Sequence, residues 1–550
     1  MALKNLPLVA YFCMEYALES SFKTYSGGLG ILAGDYLKGV KDHGFPMVAI
    51  GMRWKQGYGD QYIDPATGKA YDAYKNQDHS FLEDTGITVK VPIKGRDVLV
   101  KVWRVNKFGV DSLYLLDTDL EGNDGEARWL TGQLYGWFGE ERVAQEMVLG
   151  IGGVRALRAL KLKPEVYHFN EGHALFAGFE LMHRRMQRGM SFKEAWARTR
   201  EEVVFTTHTP IVQGNESHPI DRLMYLGANL GLTRTQLRQL GGEPFNMTVG
   251  ALRLSRIANA VADLHRVTAN EMWSGVKGHG EIIGITNAIH RPTWVDGRML
   301  ELAGKGAKAE LWQRHTENKR DLIAFVAART GVQLDPKVML VGFSRRAAPY
   351  KRSNFIFTEP KFIEPLLKGG KLQIVFAGKS HPLDDNGKVI VEEIVAMARK
   401  YPASVVFLEN YDMEIGAMLT RGSDVWLNNP RRPKEASGTS GMKAAMNGVL
   451  NLSILDGWWP EACDHGVNGW QFGDGYENED EAKLDQHDFK AFKKVLTTQV
   501  LPTYYEHPDQ WQDMMLAAIQ GTRDAFAVKR MLDEYYQRMY LKQGAGAAAR

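Results

Sequence analysis

Cysteine is nearly absent. Cys13 and Cys463 are the whole complement among 550 residues, too few for a disulfide framework or a zinc site, so a reducing, cytoplasmic setting is expected and no metal is. An excess of one charge is missing too. With 68 Lys and Arg against 65 Asp and Glu the formal charge is +3, and nothing points to nucleic acid or an anionic membrane. Any phosphate must be bound by local clusters. No run of about 18 apolar residues occurs, which excludes an apolar membrane-spanning helix. The opening apolar run is interrupted by Lys4, Asn5 and Pro7, and no small-residue cleavage site follows it. What remains is a soluble, globular composition, long enough for two domains of about 200 to 300 residues.

The most informative stretch runs from Glu435 to Asp456, E-A-S-G-T-S-G-M-K-A-A-M-N-G-V-L-N-L-S-I-L-D. Ser437, Gly438, Thr439, Ser440 and Gly441 lack bulk, so backbone N–H groups can approach an anion where a helix beginning near Thr439 has its first donors unpaired. Lys443 falls in the first turn or so of that helix, among Met442, Ala444, Ala445 and Met446. A lysine near a positive helix end and apolar neighbours is a candidate for a lowered pKa, and a neutral amine can form a Schiff base. An ordinary helix cap followed by a surface lysine would read the same way.

Along the chain, strands alternate with helices. V-A-Y-F-C-M-E-Y, the loop Y-S-G-G-L-G, a helix and F-P-M-V-A-I-G-M form a βαβ unit with its glycines at a helix N-terminus. Extended segments fill residues 87–119, a helix covers Glu141 to Leu160, and V-Y-H-F-N and V-V-F-T-T-H are strands. A helix is expected around Met247 to Leu264, then strands at R-V-T-A-N and I-I-G-I-T-N. After a crossing segment, five further strands begin at V-M-L-V-G-F-S, L-Q-I-V-F-A-G, S-V-V-F-L-E-N, D-V-W-L-N-N and L-N-L-S-I-L-D. The final helices, including A-V-K-R-M-L-D-E-Y-Y-Q-R-M-Y, are amphipathic and could pack back on the first domain. The expected class is α/β, with parallel sheets covered on both faces. The expected domains are residues 1–290, residues 291–525, and a C-terminal helix with a disordered tail over 526–550.

The segment E-A-S-G-T-S-G-M-K-A followed by N-G resembles, nearly letter for letter, the cofactor-lysine segment of the α-glucan phosphorylases, and Ala347, Ala348 and Pro349 in R-R-A-A-P-Y-K-R resemble the form of their shorter bacterial and archaeal members. The resemblance covers most of the chain. It implies two Rossmann-like, doubly wound domains facing each other across a cleft, the GT-B arrangement. Lys443 would carry pyridoxal 5′-phosphate, and the small-residue loop with Thr439 and Ser440 would hold its phosphate. In R-R-A-A-P-Y-K-R, Arg346 and Lys351 match the cations that grip the substrate phosphate, and Arg345 matches a basic residue near the cofactor phosphate. A solvated basic loop is the plain alternative. His208 in T-T-H-T-P matches the histidine over the donor sugar, whose backbone carbonyl faces the anomeric carbon. The stretch beyond it, I-V-Q-G-N-E-S-H-P, departs from the usual pattern and leaves the acceptor subsites unassigned. His173 matches a family position of either direct or supporting role.

Asn287, Glu435, Ser437 and Gly438 match groups that read sugar hydroxyls, Asn287 at the 6-hydroxyl and the others at the 3- and 4-hydroxyls. Gly27 and Gly28 match the substrate-binding glycine loop, and Glu15 and Tyr411 match cofactor-pocket residues, although Ala17 replaces an expected aromatic. The N-terminal phosphorylation and effector region of the large animal enzymes has no expected counterpart. The implied activity is phosphorolysis of an α-1,4-glucan by inorganic phosphate, releasing glucose 1-phosphate, with a homo-oligomer left open. Two rivals stand beside it. A nucleotide-sugar glucan synthase shares the fold but needs no Schiff-base lysine, and a silent glucan-binding protein needs no phosphate cations.

Overall fold

The computed structural model describes residues 5–542, so the expected disordered tail lies outside the described residues apart from its approach. The fold is α/β, in two compact units. The first comprises Met1–Tyr58, Tyr74–Thr286 and Met531–Arg550, the second Gly59–Ala73 and Asn287–Arg530. These are not the uninterrupted stretches expected. Gly59–Ala73 joins the second unit because its hairpin, Asp60–Ile63 with Ala70–Ala73, bonds there: Gln61 Nε2 to Ser380 Oγ at 2.9 Å and Ile63 N to Glu409 Oε2 at 2.8 Å. The last helix joins the first unit through Tyr540 Oη with His168 Nδ1 at 2.6 Å and Tyr536 Oη donating to the Pro46 carbonyl at 2.7 Å.

In the first unit, parallel strands run in the order Ile282–Gly284, Ile257–Ala260, Val203–Thr206, Val166–Asn170, Val9–Phe12, Met47–Met52 and Leu113–Asp117. Arg96–Val105 and Glu83–Ile93 extend the sheet antiparallel. Phe12, Ile50, Phe169 and Phe205 from four adjacent strands are buried against Leu175, Phe176 and Phe179. Each such side chain contributes about 1.5–3 kcal/mol by leaving water. Strand order changes direction at Val9–Phe12, from which the chain first builds outward through Met47–Met52 and then returns to its other side at Val166–Asn170, and ligands bind beyond the carboxyl ends of strands at such a point.

Two expectations are corrected here. The helix expected to Leu264 ends at Leu254, and Ile257–Ala260 is a central strand. The small apolar run I-A-N-A fits either period, and pairing with Val203–Thr206 and Ile282–Gly284 decides it. R-V-T-A-N is helical, within Asp263–Met272, because the mild helix penalty of Val267 and Thr268 yields to tertiary packing.

In the second unit the six strands are all parallel, in the order Val405–Leu408, Gln373–Ala377, Leu340–Ser344, Val425–Asn428, Leu450–Ile454 and Gly469–Phe472. The sixth was not expected. Leu322, Ile323 and Val326 of the helix Lys308–Thr330 pack on Leu340, Val375 and Trp426. Order reverses between Leu340–Ser344 and Val425–Asn428, so the loops after these two strands lead to the same spot. No helix among the described residues is long and apolar enough to cross a membrane.

Candidate active site

The loop after Val425–Asn428 is tied to the cationic loop after Leu340–Ser344 by side-chain bonds to backbone carbonyls. Asn429 Nδ2 donates to the carbonyls of Lys351 and Arg352 at 3.0 and 2.8 Å, and Arg352 Nε donates to the Asn429 carbonyl at 2.7 Å. The chain then enters the helix Thr439–Met446 at Gly438, whose φ of 86° is left-handed and which offers no capping side chain. The first N–H groups of that helix are therefore left for a ligand. Trp458 N donates to the Ser437 carbonyl at 2.9 Å and Trp426 Nε1 to Ser440 Oγ at 3.3 Å, fixing the loop from both sides. Thr439 and Ser440 remain half-buried.

Lys443 is 4% exposed, and its Nζ lies 3.3 Å from the centroid of the Trp294 ring. That ring is held in turn: the Trp294 carbonyl accepts from Arg421 Nε at 3.0 Å and from Asn447 Nδ2 at 3.2 Å. Asn447 Nδ2 also bonds the Lys443 carbonyl at 2.9 Å. A buried amine on a helix that starts with uncapped donors suits a small molecule that carries both a carbonyl and an anionic group.

In the loop that leads into this helix, Glu435 Oε2 accepts from both Arg345 Nη2 and Lys351 Nζ. Burial alone would raise the Glu435 carboxyl, but Arg345 and Lys351 outweigh it and hold it below its ordinary value. Glu435 N donates to Asp456 Oδ2 at 3.0 Å. Asp456, fully buried next to Glu435, is pushed up to about 7 by burial and then by that neighbouring charge. Gly438 lies against both Glu435 and Arg345. Arg346 stays exposed while its positive charge still reaches Glu435. Tyr411, lifted to about 12 by burial, borders Arg345. The neighbouring Glu409 and Asn410 bond the Gly59–Ala73 segment. Ser437 Oγ and Asn287 Oδ1 are buried with no hydrogen-bond partner among the described residues. Such atoms are rare in a finished interior and cost stability unless a ligand satisfies them.

In the first unit, Gly27 caps the helix Gly28–His43 with extended backbone, and a Cβ added at Gly27 or Gly28 would meet nothing within 4 Å. Neither packing nor φ requires glycine there, which leaves backbone access as the reason for it. Glu15 does not stand apart from this loop: its Oε2 accepts from Ser26 N at 2.7 Å and Gly27 N at 3.3 Å, and its Oε1 accepts from Tyr135 Oη at 2.8 Å. His208 N donates to Glu171 Oε2 at 2.8 Å, and its Nε2 bonds Asn170 Oδ1 at 2.7 Å. Asn170 Nδ2 donates to Cys13 Sγ, so Oδ1 is the acceptor and His208 carries its proton on Nε2. Burial, then the charges of His265 and His173, holds His208 down at about 3 and hence neutral.

The second unit thus brings together Arg345, Lys351, Tyr411, Glu435, Ser437 and Gly438, with Lys443, Thr439 and Ser440 on the adjoining helix. Asn287 reaches the same neighbourhood through its own segment: Ile289 N bonds the Phe526 carbonyl at 2.9 Å, and the Phe526 ring stands on Trp458. Sequence reasoning gave no role to Asp456, Asn447, Glu171 or Tyr135. Glu171 carried one signal, its place in N-E-G-H-A directly after a strand, where it adopts a φ of 76° unusual for a side-chain-bearing residue.

A family model described as carbohydrate phosphorylase matches residues 299–480. The chain is 37% identical to the maltodextrin phosphorylase of Thermococcus litoralis, the match covering 98% of this chain and 71% of that protein. It is 36% identical to a glycogen phosphorylase of Mycobacterium bovis over 98% and 71%, and 34% identical to one of Aquifex aeolicus over 97% and 86%.

Proposed function

Because this chain belongs to the carbohydrate phosphorylase family, we propose that it is an α-1,4-glucan phosphorylase, which uses inorganic phosphate to release α-glucose 1-phosphate from non-reducing chain ends with retained configuration. Each unit is read as a Rossmann-like, doubly wound domain. The observation that carries the reading is the buried Lys443 amine on the Trp294 ring, beside uncapped helix donors and the Arg345 and Lys351 cations.

The residues present fit pyridoxal 5′-phosphate. Lys443 is a buried primary amine for its aldehyde, Thr439, Ser440 and the first helix N–H groups suit its phosphate, and Arg345 and Tyr411 border the loop. Bound there, the cofactor supplies a phosphate monoester whose second pKa of about 6 allows it to hold or release a proton near neutral pH.

This chain's own residues do the rest. Arg346 and Lys351 bind the reacting phosphate and stabilise the charge that develops as the glycosidic bond breaks. Glu435 keeps Arg345 and Lys351 in place before phosphate arrives, and its carboxylate also accepts from a sugar hydroxyl. Ser437 Oγ and Asn287 Oδ1 satisfy their missing bonds on the glucosyl hydroxyls, and Gly27 and Gly28 offer backbone access to the substrate. His208, neutral and locked through Nε2, presents its carbonyl without adding a charge.

The test is phosphate-dependent release of glucose 1-phosphate across a ladder of malto-oligosaccharides and glycogen. Release that requires phosphate is expected. Glucan extension from a nucleotide sugar, or binding without turnover, would instead identify the synthase or the silent binding protein.

A further inference from the structure

The departure segment I-V-Q-G-N-E-S-H-P sends two polar side chains inward. Ser217–His218 pairs antiparallel with Phe245–Asn246, and the Glu216 carbonyl accepts from Met247 N at 2.9 Å, so this backbone is fixed. His218 is 5% exposed. Both side chains face Glu146, fully buried on the helix Glu140–Met147.

Glu216 divides its oxygens. Oε1 lies 3.5 Å from Arg142 Nε and 3.6 Å from His173 Nε2, while Oε2 lies 3.7 Å from His218 Nε2. Among the described residues, both oxygens of Glu146, Oε2 of Glu216 and both ring nitrogens of His218 have no hydrogen-bond partner, and neither do Nε and Nη1 of Arg142 or Nδ1 of His173 beside them. One ligand atom from each of the three residues lies within 4.8 Å of the other two.

We propose that Glu146, Glu216 and His218 form a binding site for a divalent transition-metal ion of the zinc type. Two carboxylate oxygens and an imidazole nitrogen are ligands that zinc accepts, while the lack of thiolates argues against Cu(I) and the imidazole against magnesium or calcium. Zinc bonds of about 2.0–2.2 Å place tetrahedral ligands roughly 3.4 Å apart, so ligand atoms that lie within 4.8 Å of one another need to close by at most about 1.4 Å. Arg142 and His173 lie on the side of the outer oxygen of Glu216, at ion-pair rather than hydrogen-bond distance, and leave the inner one toward Glu146 and His218. Two adjacent carboxyl groups in a dry interior need a proton or a cation between them. Arg142 offsets one negative charge and leaves the second.

The site also bears on the glycine loop. The Arg142 guanidinium lies 4.4 Å over the Tyr135 ring, and Tyr135 Oη bonds the Glu15 carboxylate that holds Ser26 and Gly27. A metal at Glu216 would therefore brace that loop from behind.

The full chain, made without a histidine tag, is loaded with zinc chloride, dialysed against metal-free buffer and assayed by elemental analysis. About one zinc per chain is expected to remain, falling to less than about a tenth in Glu146→Gln and in His218→Asn. Zinc should raise the melting temperature of the parent and leave that of a folded variant unmoved. A parent that retains no zinc and shows no shift overturns the proposal in favour of a shared proton only. Full zinc retention in folded His218→Asn overturns it in favour of binding elsewhere. Should both variants fail to fold, cobalt loading of the parent decides: the visible absorption of a four-coordinate ion supports the site, and its absence overturns it.

Discussion

The strand Val425–Asn428 has a buried charge cluster at each end, and the two are built oppositely. At the amino end Asp424, fully buried, accepts from Lys319 Nζ at 2.6 Å, His315 Nε2 at 2.9 Å and Leu340 N at 2.8 Å. Lys319 fills its other donor positions with the Val338 carbonyl at 2.8 Å and Tyr504 Oη at 3.0 Å. Among the described residues, His315 Nδ1 is the one atom of that group without a partner. At the carboxyl end two cations crowd one oxygen of Glu435, a second carboxyl is lifted to about 7, and Ser437 Oγ has no partner among the described residues. Both ends are dry and charged, so burial of charge does not by itself mark function. A closed set of hydrogen bonds holds the sheet together, and an open set with excess positive charge is what the proposed phosphate site requires.

The largest effect that separates the two ends is expected at the open one. Lys443→Ala should remove the cofactor's attachment and lower phosphorolysis by at least about a thousandfold, or ~4 kcal/mol of transition-state stabilisation. Its circular dichroism and melting should stay near parental, and a variant that keeps its activity would break the contrast. At the closed end Asp424→Ala leaves Lys319 buried without its counter-charge, which costs about 3–5 kcal/mol of stability. Urea titration should show that loss, while turnover per folded molecule persists.

Arg346→Ala sharpens the picture within the open end. Phosphorolysis should fall about a hundredfold, or ~2.7 kcal/mol, with cofactor occupancy retained. Steady-state rates at varied phosphate, set beside cofactor absorbance, decide it, since near-parental phosphate dependence would move the phosphate site elsewhere. Asn287→Ala should reduce discrimination between glucose 1-phosphate and its 6-deoxy analogue by about 1–3 kcal/mol. It should cost little stability, because the Asn287 Oδ1 atom removed has no partner to lose.

The smallest effect concerns pH. The Asp456 carboxyl is raised in the fold to about 7, so the stability contributed by its neutral form is full below its ordinary value and is lost as pH rises through 7. The charge gained there stands beside Glu435 and opposes an anion, so phosphate affinity should weaken severalfold from pH 6 to 8 beyond the change due to phosphate itself. Asp456→Asn should flatten that extra dependence, and an unchanged profile would show that Asp456 is insulated from the phosphate site.

Most strands of the second unit were legible because buried parallel strands read as short apolar runs between helical patterns. Gly469–Phe472 was not, since G-W-Q-F is brief and carries a glycine. Ile257–Ala260 was hidden by small residues that fit two periods, and the Gly59–Ala73 excursion by partners more than 300 residues away, among them Ser380 and Glu409. Within the site, the loop Ser437–Gly441 and Lys443 stood out through local chemistry. The Trp294 ring under Lys443 and the carboxyl of Asp456 beside Glu435 could not be read in advance, because tertiary packing alone creates those contacts.

Borohydride reduction of the purified protein followed by peptide mapping asks the question most directly. A phosphopyridoxyl group on the peptide containing Lys443, and on no other lysine, is the expected result. Active protein that carries no such group, or carries it on a different lysine, would contradict the reading of the open end as the cofactor and phosphate site.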